Sequence, residues 1–200
     1  MIDRQRFEHI KERHGNYASW AVWADAAAKP KSNVGDLSVL DPDINRDLLG
    51  LIREDVVMVG LNFSRSILTQ PLCNFHDPSG RAHDFKIRYA FKDTQYYGAY
   101  MTDIIKNFPM LKSGDLLREL TPALKRENTD TFLRELSDLG GTKPTIIAFG
   151  AAAHKLIATS VPADVYSSLV RIPHYSDYGS KEQYRDNVTR ALDGSERSAL

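Results

Sequence analysis

The segment Asp55 to Ser66, Asp-Val-Val-Met-Val-Gly-Leu-Asn-Phe-Ser-Arg-Ser, constrains the chain more than any other. Val56, Val57, Met58 and Val59 form an unbroken apolar run between charge on one side and glycine on the other. Such a run, β-branched and without alternation, is predicted as a strand buried on both faces, in a sheet that carries helices on each side. Gly60 lets the backbone turn, and Leu61, Asn62, Phe63 and Ser64 follow at the strand's carboxyl end. Open α/β sheets bind their ligands there.

The same pattern recurs along the chain. Ile2 to Arg13 spaces Ile2, Phe7 and Ile10 among charges and is predicted as an amphipathic helix broken at Gly15-Asn16. Ser19 to Lys29 is predicted helical up to Pro30, and Asp43 is placed as the N-cap of a helix to about Ile52. Asn62 to Ala82 is a long loop, of a length that is usually functional inside a compact domain. Helices follow over Ala82 to Lys92, from Ser113 to Leu120, from Thr129 to Leu139, from Gly150 to Ala158 and from Ser180 to Leu192. Strands fall at Ala99 to Ile105, Thr145 to Phe149 and Ser168 to Ile172. Alternating strands and helices imply a parallel sheet covered on both faces. The 200 residues are expected to form one domain, with a helical N-terminal region, residues 1–54, packed on it.

Lys and Arg number 26 and Asp and Glu 26, so the net charge is zero. DNA-binding domains usually carry a basic excess; any nucleic-acid contact here must come from a local patch. A single cysteine, Cys73, excludes an internal disulfide and a four-cysteine metal or iron–sulfur site. His9, His14 and His83 lack metal-ligand spacing, so no metal and no cofactor are expected. No apolar run reaches the length of a membrane span, and the N-terminus is too charged for a secretory signal. A cytoplasmic monomer with no membrane partner is expected.

Gly60-Leu61-Asn62-Phe63-Ser64 resembles the first motif of the uracil-DNA glycosylase superfamily, which in the mismatch-specific and single-strand-selective branches runs Gly-x-Asn-Pro-Gly. Gly60 and Asn62 match; Phe63 and Ser64 replace Pro and Gly. Ala99 to Pro109, Pro144 to Leu156 and Ile172 to Ser176 follow in the family's order, so the resemblance spans Asp55 to Ser176. It implies a three-layer α/β/α sandwich around a four-stranded parallel sheet, with catalytic loops at the strand carboxyl ends. It also implies a hydrolase of base-excision repair. Such an enzyme flips a deaminated or damaged base, uracil or a relative, out of DNA and cleaves its N-glycosidic bond. No lysine is placed as a nucleophile, which suits a monofunctional enzyme. Asn107 stands where one branch has a cluster cysteine.

The resemblance assigns roles. Asn62 cannot act as a general base, but its carbonyl oxygen can hold the attacking water; read alone, it equally closes the turn after the strand. His174, in Pro-His-Tyr-Ser, would donate to the departing base and stabilise its charge, and Ser176 beside it would bind a DNA phosphate, as would Ser64. In isolation, His174 reads as a histidine satisfied at a strand end and Ser176 as a turn residue. Phe75, with Phe63 as rival and Leu61 beside it, would stack on the everted base. His76 and Asp77 lie nearby, and Asp77 is a further candidate base. Asp103 stands where the family reads uracil with Asn. A carboxylate offers acceptors only, suits a base edge with two donors and disfavours uracil. Two other readings fit the altered motif residues Phe63, Tyr175 and Asp103. One is a non-catalytic module that binds nucleic acid, nucleotide or protein. The other is an enzyme acting on free nucleosides or nucleotides.

Overall fold

The computed structural model describes residues 2–63, 70–79, 81–106, 108 and 113–198. Its elements are α1 (Arg4–His14), β1 (Ser19–Trp20), α2 (Leu48–Leu51), β2 (Arg53–Asn62), α3 (Asp84–Phe91), β3 (Ala99–Ile105), α4 (Ser113–Glu119), α5 (Pro122–Asp138), β4 (Thr145–Phe149), α6 (Gly150–Ser160), β5 (Ser168–Ile172) and α7 (Lys181–Ser198), with single 3₁₀ turns at Leu37–Leu40 and Ala163–Val165. The strands form one five-stranded sheet in the order β1-β3-β2-β4-β5. β2 pairs in parallel with β3 and β4, and β4 with β5, so these four strands end on a common edge. β1 is antiparallel to β3, with Ser19 opposite Met101 and Trp20 opposite Tyr100.

Helices cover both faces, giving three layers. On one face Phe7, Ile10, Phe132, Leu136, Leu156 and Ile157 pack against Val57, Val59 and Ile146. On the other, Ile87, Phe91, Tyr184 and Val188 pack against Met58, Met101, Ile147 and Ile172. β2 is buried on both faces from Val56 to Val59, as an apolar run without alternation requires.

The expected four-stranded parallel sheet gains an antiparallel fifth strand where a helix was expected. Ser19 and Trp20 lie in an edge strand, and Ala21 N–H continues the pairing by donating to Ala99 O at 2.8 Å. The apolar residues Trp20, Ala21 and Val22 are buried on the sheet rather than along a helical stripe, so tertiary packing overrides local periodicity. Helix α2 is a single turn. Asp43 is not its cap; it accepts a bidentate pair from Arg4, at 2.9 Å to each oxygen. Helix α5 starts at Pro122 under the Thr121 cap, and Thr129 sits mid-helix with its hydroxyl on Lys125 O. Among the described residues, no helix is long and apolar enough to cross a membrane.

β3 is tied to α5 by buried charge. Lys106 Nζ approaches Glu135 Oε2 to 2.6 Å, as an ion pair rather than an aligned hydrogen bond, and also donates to Asp103 O. Glu135 Oε1 accepts from Tyr100 and Thr102 at 2.9 and 2.8 Å. Removing one member of a buried pair strands the other charge, at a cost of about 3–5 kcal/mol. Glu135→Leu alone is therefore expected to lower the urea midpoint strongly, and Lys106→Met combined with it to recover much of the loss. A double variant no more stable than Glu135→Leu would contradict the pairing.

Candidate functional site

The common edge of the parallel strands gathers the candidate residues. Gly60 pairs with Asp103 in the β2–β3 register, so both side-chain positions share one sheet face. A Cβ at residue 60 would lie 2.1 Å from Asp103 Oδ1 and 3.4 Å from Phe75 Cζ. The Asp103 carboxyl thus occupies the space that any larger residue at 60 would fill, with the Phe75 ring beside it. Phe75 packs at 6.0 Å on Phe149, which ends β4, and at 6.4 Å on Tyr175. Tyr175 stacks on His174 at 4.4 Å, just past β5. His174 in turn packs over Gly150, whose φ of +85° makes the strand-to-helix turn that only glycine adopts without strain. Asn62 stands two residues beyond Gly60 on the same strand.

Phe75 and Asp103 are each only 3% exposed. Asn74 explains how they are held. Its Nδ2 donates to Asp103 Oδ2 at 2.9 Å and to Tyr17 O at 2.9 Å, and its Oδ1 accepts from Phe75 N–H. Phe75 itself has φ +64°, a conformation costly for an aromatic residue and most often retained where function holds it. The N-terminal segment fixes this turn. Trp23 Nε1 donates to Phe75 O at 3.1 Å, Ser19 Oγ donates to Leu72 O, and His76 bridges Asn74 O and Val22 O.

Burial raises the Asp103 carboxyl to about 7; the Asn74 bond and Lys106 oppose the rise, and Glu135 and Asp84 add to it. The acceptor-only form expected from residue type is thus the form that prevails above about 7. Near neutrality much of Asp103 carries a proton and presents one donor and one acceptor, as an asparagine does. His174 is held below its ordinary range, mainly by burial. Ser176 N–H donates to His174 Nδ1 at 3.2 Å, and Ser176 Oγ lies 2.8 Å from the same nitrogen. The neutral ring therefore keeps its proton on Nε2, where it can be donated. Asn62 Nδ2 donates to Phe63 O at 3.2 Å and Phe108 O at 3.3 Å, which fixes the plane of the amide.

Neither the family models nor the curated proteins compared with this chain match it.

Several expected site residues lie elsewhere. Leu61 is buried in one cluster with Val57, Val59 and Ile104 on the opposite sheet face, away from Asp103. Phe63 is half-buried, and its carbonyl serves Asn62. Ser64 falls outside the described residues. Ser176, by contrast, stands exposed beside His174, with its hydroxyl on the ring nitrogen. His76 is buried, stacks on Trp23 at 5.3 Å and serves the turn, while Asp77 closes a turn by accepting from Ser79 N–H at 2.8 Å. Among the described residues no cluster of His, Cys, Asp and Glu is arranged to hold a metal ion. The sequence reading missed Asn74 and Tyr178. Asn74 could have been suspected as an amide adjoining the candidate stacking ring. Tyr178 stands fully exposed four residues past His174, an aromatic in a loop that burial patterning does not reach.

The raised Asp103 value has a measurable sign. The unfolded chain ionises this carboxyl near the ordinary 3.8, the folded protein near 7. Between those values the folded state holds a proton the unfolded state has released, so stability falls as pH rises through this window and levels off above about 7. The effect amounts to roughly 4 kcal/mol. Asp103→Asn removes the titration. Its stability relative to wild type is expected to rise from pH 4 to pH 7 by a few kcal/mol in urea unfolding; a pH-independent difference would contradict the buried acid.

Proposed function

We propose that this protein hydrolyses the N-glycosidic bond of a deaminated or damaged base everted from DNA, using the edge at which β2, β3, β4 and β5 end. The observation that carries the reading is the convergence of Asn62, Phe75, Asp103 and His174, drawn from four separate segments, on one sheet edge. Each has chemistry suited to a step. The Phe75 ring is a stacking platform worth about 1–3 kcal/mol per base. Asn62 would place the water that attacks C1′, the role that the resemblance gives it. Neutral His174, with its proton on Nε2, can donate to the carbonyl of the departing base as negative charge develops. Asp103 reads the base edge. The balance is simple hydrolysis: water oxygen bonds to C1′, the C1′–N bond breaks with its electron pair going to the base, and the released base takes up a proton.

Tyr175 covers part of the Phe75 ring, so a base can enter only if that tyrosine yields. Extrusion from the base stack costs a few kcal/mol, least for a mismatched, damaged or already single-stranded base. Exposed Tyr178, on the same loop as His174, would stack in the gap that the base leaves.

A second reading, binding without turnover, is favoured by the near-complete burial of Phe75 and Asp103. Assay of free base released from oligonucleotides carrying uracil, hypoxanthine or xanthine separates the two. Release is expected, falling about 10²–10³-fold in His174→Ala. No release from any substrate would sink the catalytic claim.

Base choice should depend on pH. Below about 7 the protonated Asp103 presents a donor and an acceptor, which fits uracil; above it the carboxylate presents acceptors only. Release of uracil is expected to decline as pH rises through about 7 in wild type. Asp103→Asn should hold its rate across that range and exceed wild type at pH 8. Parallel profiles for the two proteins would remove Asp103 from edge reading.

A further inference from the structure

We propose that the groove between α3 and α7 holds a phosphodiester stretch of single-stranded DNA flanking the everted base, with Tyr89 and Phe85 as stacking surfaces. This rests on the glycosylase reading for the identity of the strand, but the groove carries its own signs of an anionic occupant. It has a volume of about 420 Å³; Asp25 and the segment that follows it to Pro30 form one wall, and Phe85, Arg88, Tyr89, Lys92 and Lys181 line the rest.

The first sign is buried positive charge bonded to backbone carbonyls, with Asp25 the nearby carboxylate that acts on Arg88. Arg88 is 4% exposed, and its guanidinium donates to two carbonyls, Ala24 O at 2.7 Å and Pro30 O at 2.6 Å. Lys86, two residues earlier and also 4% exposed, places Nζ on Asp177 O at 2.9 Å. Among the described residues neither forms an ion pair. Buried charges are normally paired, and carbonyl dipoles offset them only in part, so α3 projects positive potential into the groove. Burial, Lys86 and Lys31 together hold the nearby His83 below its ordinary range, in keeping with that field.

The second sign is cations set over aromatic faces. Lys181 Nζ lies 3.7 Å and Arg185 Cζ 5.5 Å from the Tyr89 ring centroid, and Lys31 Nζ lies 5.3 Å from that of Phe85. Asp25 and Glu182 neutralise Lys92 and Lys181 locally. Asp25 acts on Arg88 as well, and beside the lining Lys86 and Arg185 form no ion pair among the described residues. Alternating cations and rings suit a strand that offers phosphates and bases in turn.

The third is position. Asp177, which accepts from Lys86, donates its N–H to His174 O at 3.0 Å, and Lys181 begins α7 four residues later. A strand leaving the candidate site past exposed Tyr178 would enter the groove directly.

Fluorescence anisotropy with labelled, undamaged oligothymidylate tests this, because binding of that probe requires no chemistry. The probe variant is Lys181→Glu with Arg185→Glu. The control is Arg126→Glu with Lys143→Glu, two exposed positions away from the groove that change net charge equally. The groove variant is expected to bind roughly tenfold or more weakly than the control, with a shallower dependence on salt, since each lost phosphate contact removes about 0.7 from the logarithmic slope. Tyr89→Ala should weaken binding several-fold and leave that slope unchanged. Equal binding by groove variant and control would overturn the proposal. So would displacement of the oligonucleotide by inorganic phosphate at matched ionic strength, which would mark a small-anion site. Binding by wild type without release of any base from damaged oligonucleotides would sink the glycosylase reading and leave the groove standing; release with groove-independent binding would do the reverse.

Discussion

The carboxyl of Asp103 lies in the space left by the missing side chain of Gly60, and the rest of the site depends on that exchange of volume. An ideal Cβ at residue 60 would sit 2.1 Å from Asp103 Oδ1, far inside contact distance. The carboxyl is therefore buried on the sheet rather than exposed above it. From burial follow its raised proton affinity and its need for the Asn74 amide. Gly60 is needed here for close approach, whereas Gly150 is needed for its backbone angle. The two glycines bracket the site and let acid and imidazole settle onto adjoining strand ends.

The N-terminal region belongs to this arrangement. The edge strand Ser19–Trp20 extends the sheet beyond β3, and the residues around it grip the turn that carries Phe75. Tyr17, Ser19, Val22 and Trp23 all bond to the stretch from Leu72 to His76. A non-glycine turn with Leu72 and Phe75 both at positive φ is sustained by this many tertiary bonds, not by local preference. On the far side, the Lys106–Glu135 pair fixes the end of β3 to α5 and sets the charge that Asp103 senses.

Much of the sheet was legible because its central strands are short, uniformly apolar and bounded by Gly or charge. Asn62, Gly150 and His174 could be placed at strand ends for the same reason. The antiparallel edge was not legible. Trp20, Ala21 and Val22 read as part of a helix, and only their pairing with β3 makes them extended. Strand alternation alone separates Leu61 from Gly60 and Asn62, since consecutive residues point to opposite faces; that signal was present and was outweighed by the motif. The protonation of Asp103 could not be read from residue type, because it arises from burial over Gly60, with Glu135 and Asp84 adding to it and Asn74 and Lys106 opposing it, and most of these residues are distant in sequence. The engagement of Ser176 with His174 is a local turn geometry that Pro-His-Tyr-Ser leaves open.

The most direct measurement is the carboxyl-carbon NMR resonance of Asp103, followed through a pH titration with and without free uracil or hypoxanthine. A midpoint near 7 that moves when base is added is the result expected of a buried acid reading a nucleobase edge. A midpoint near the ordinary 3.8, or one indifferent to every base, would contradict it.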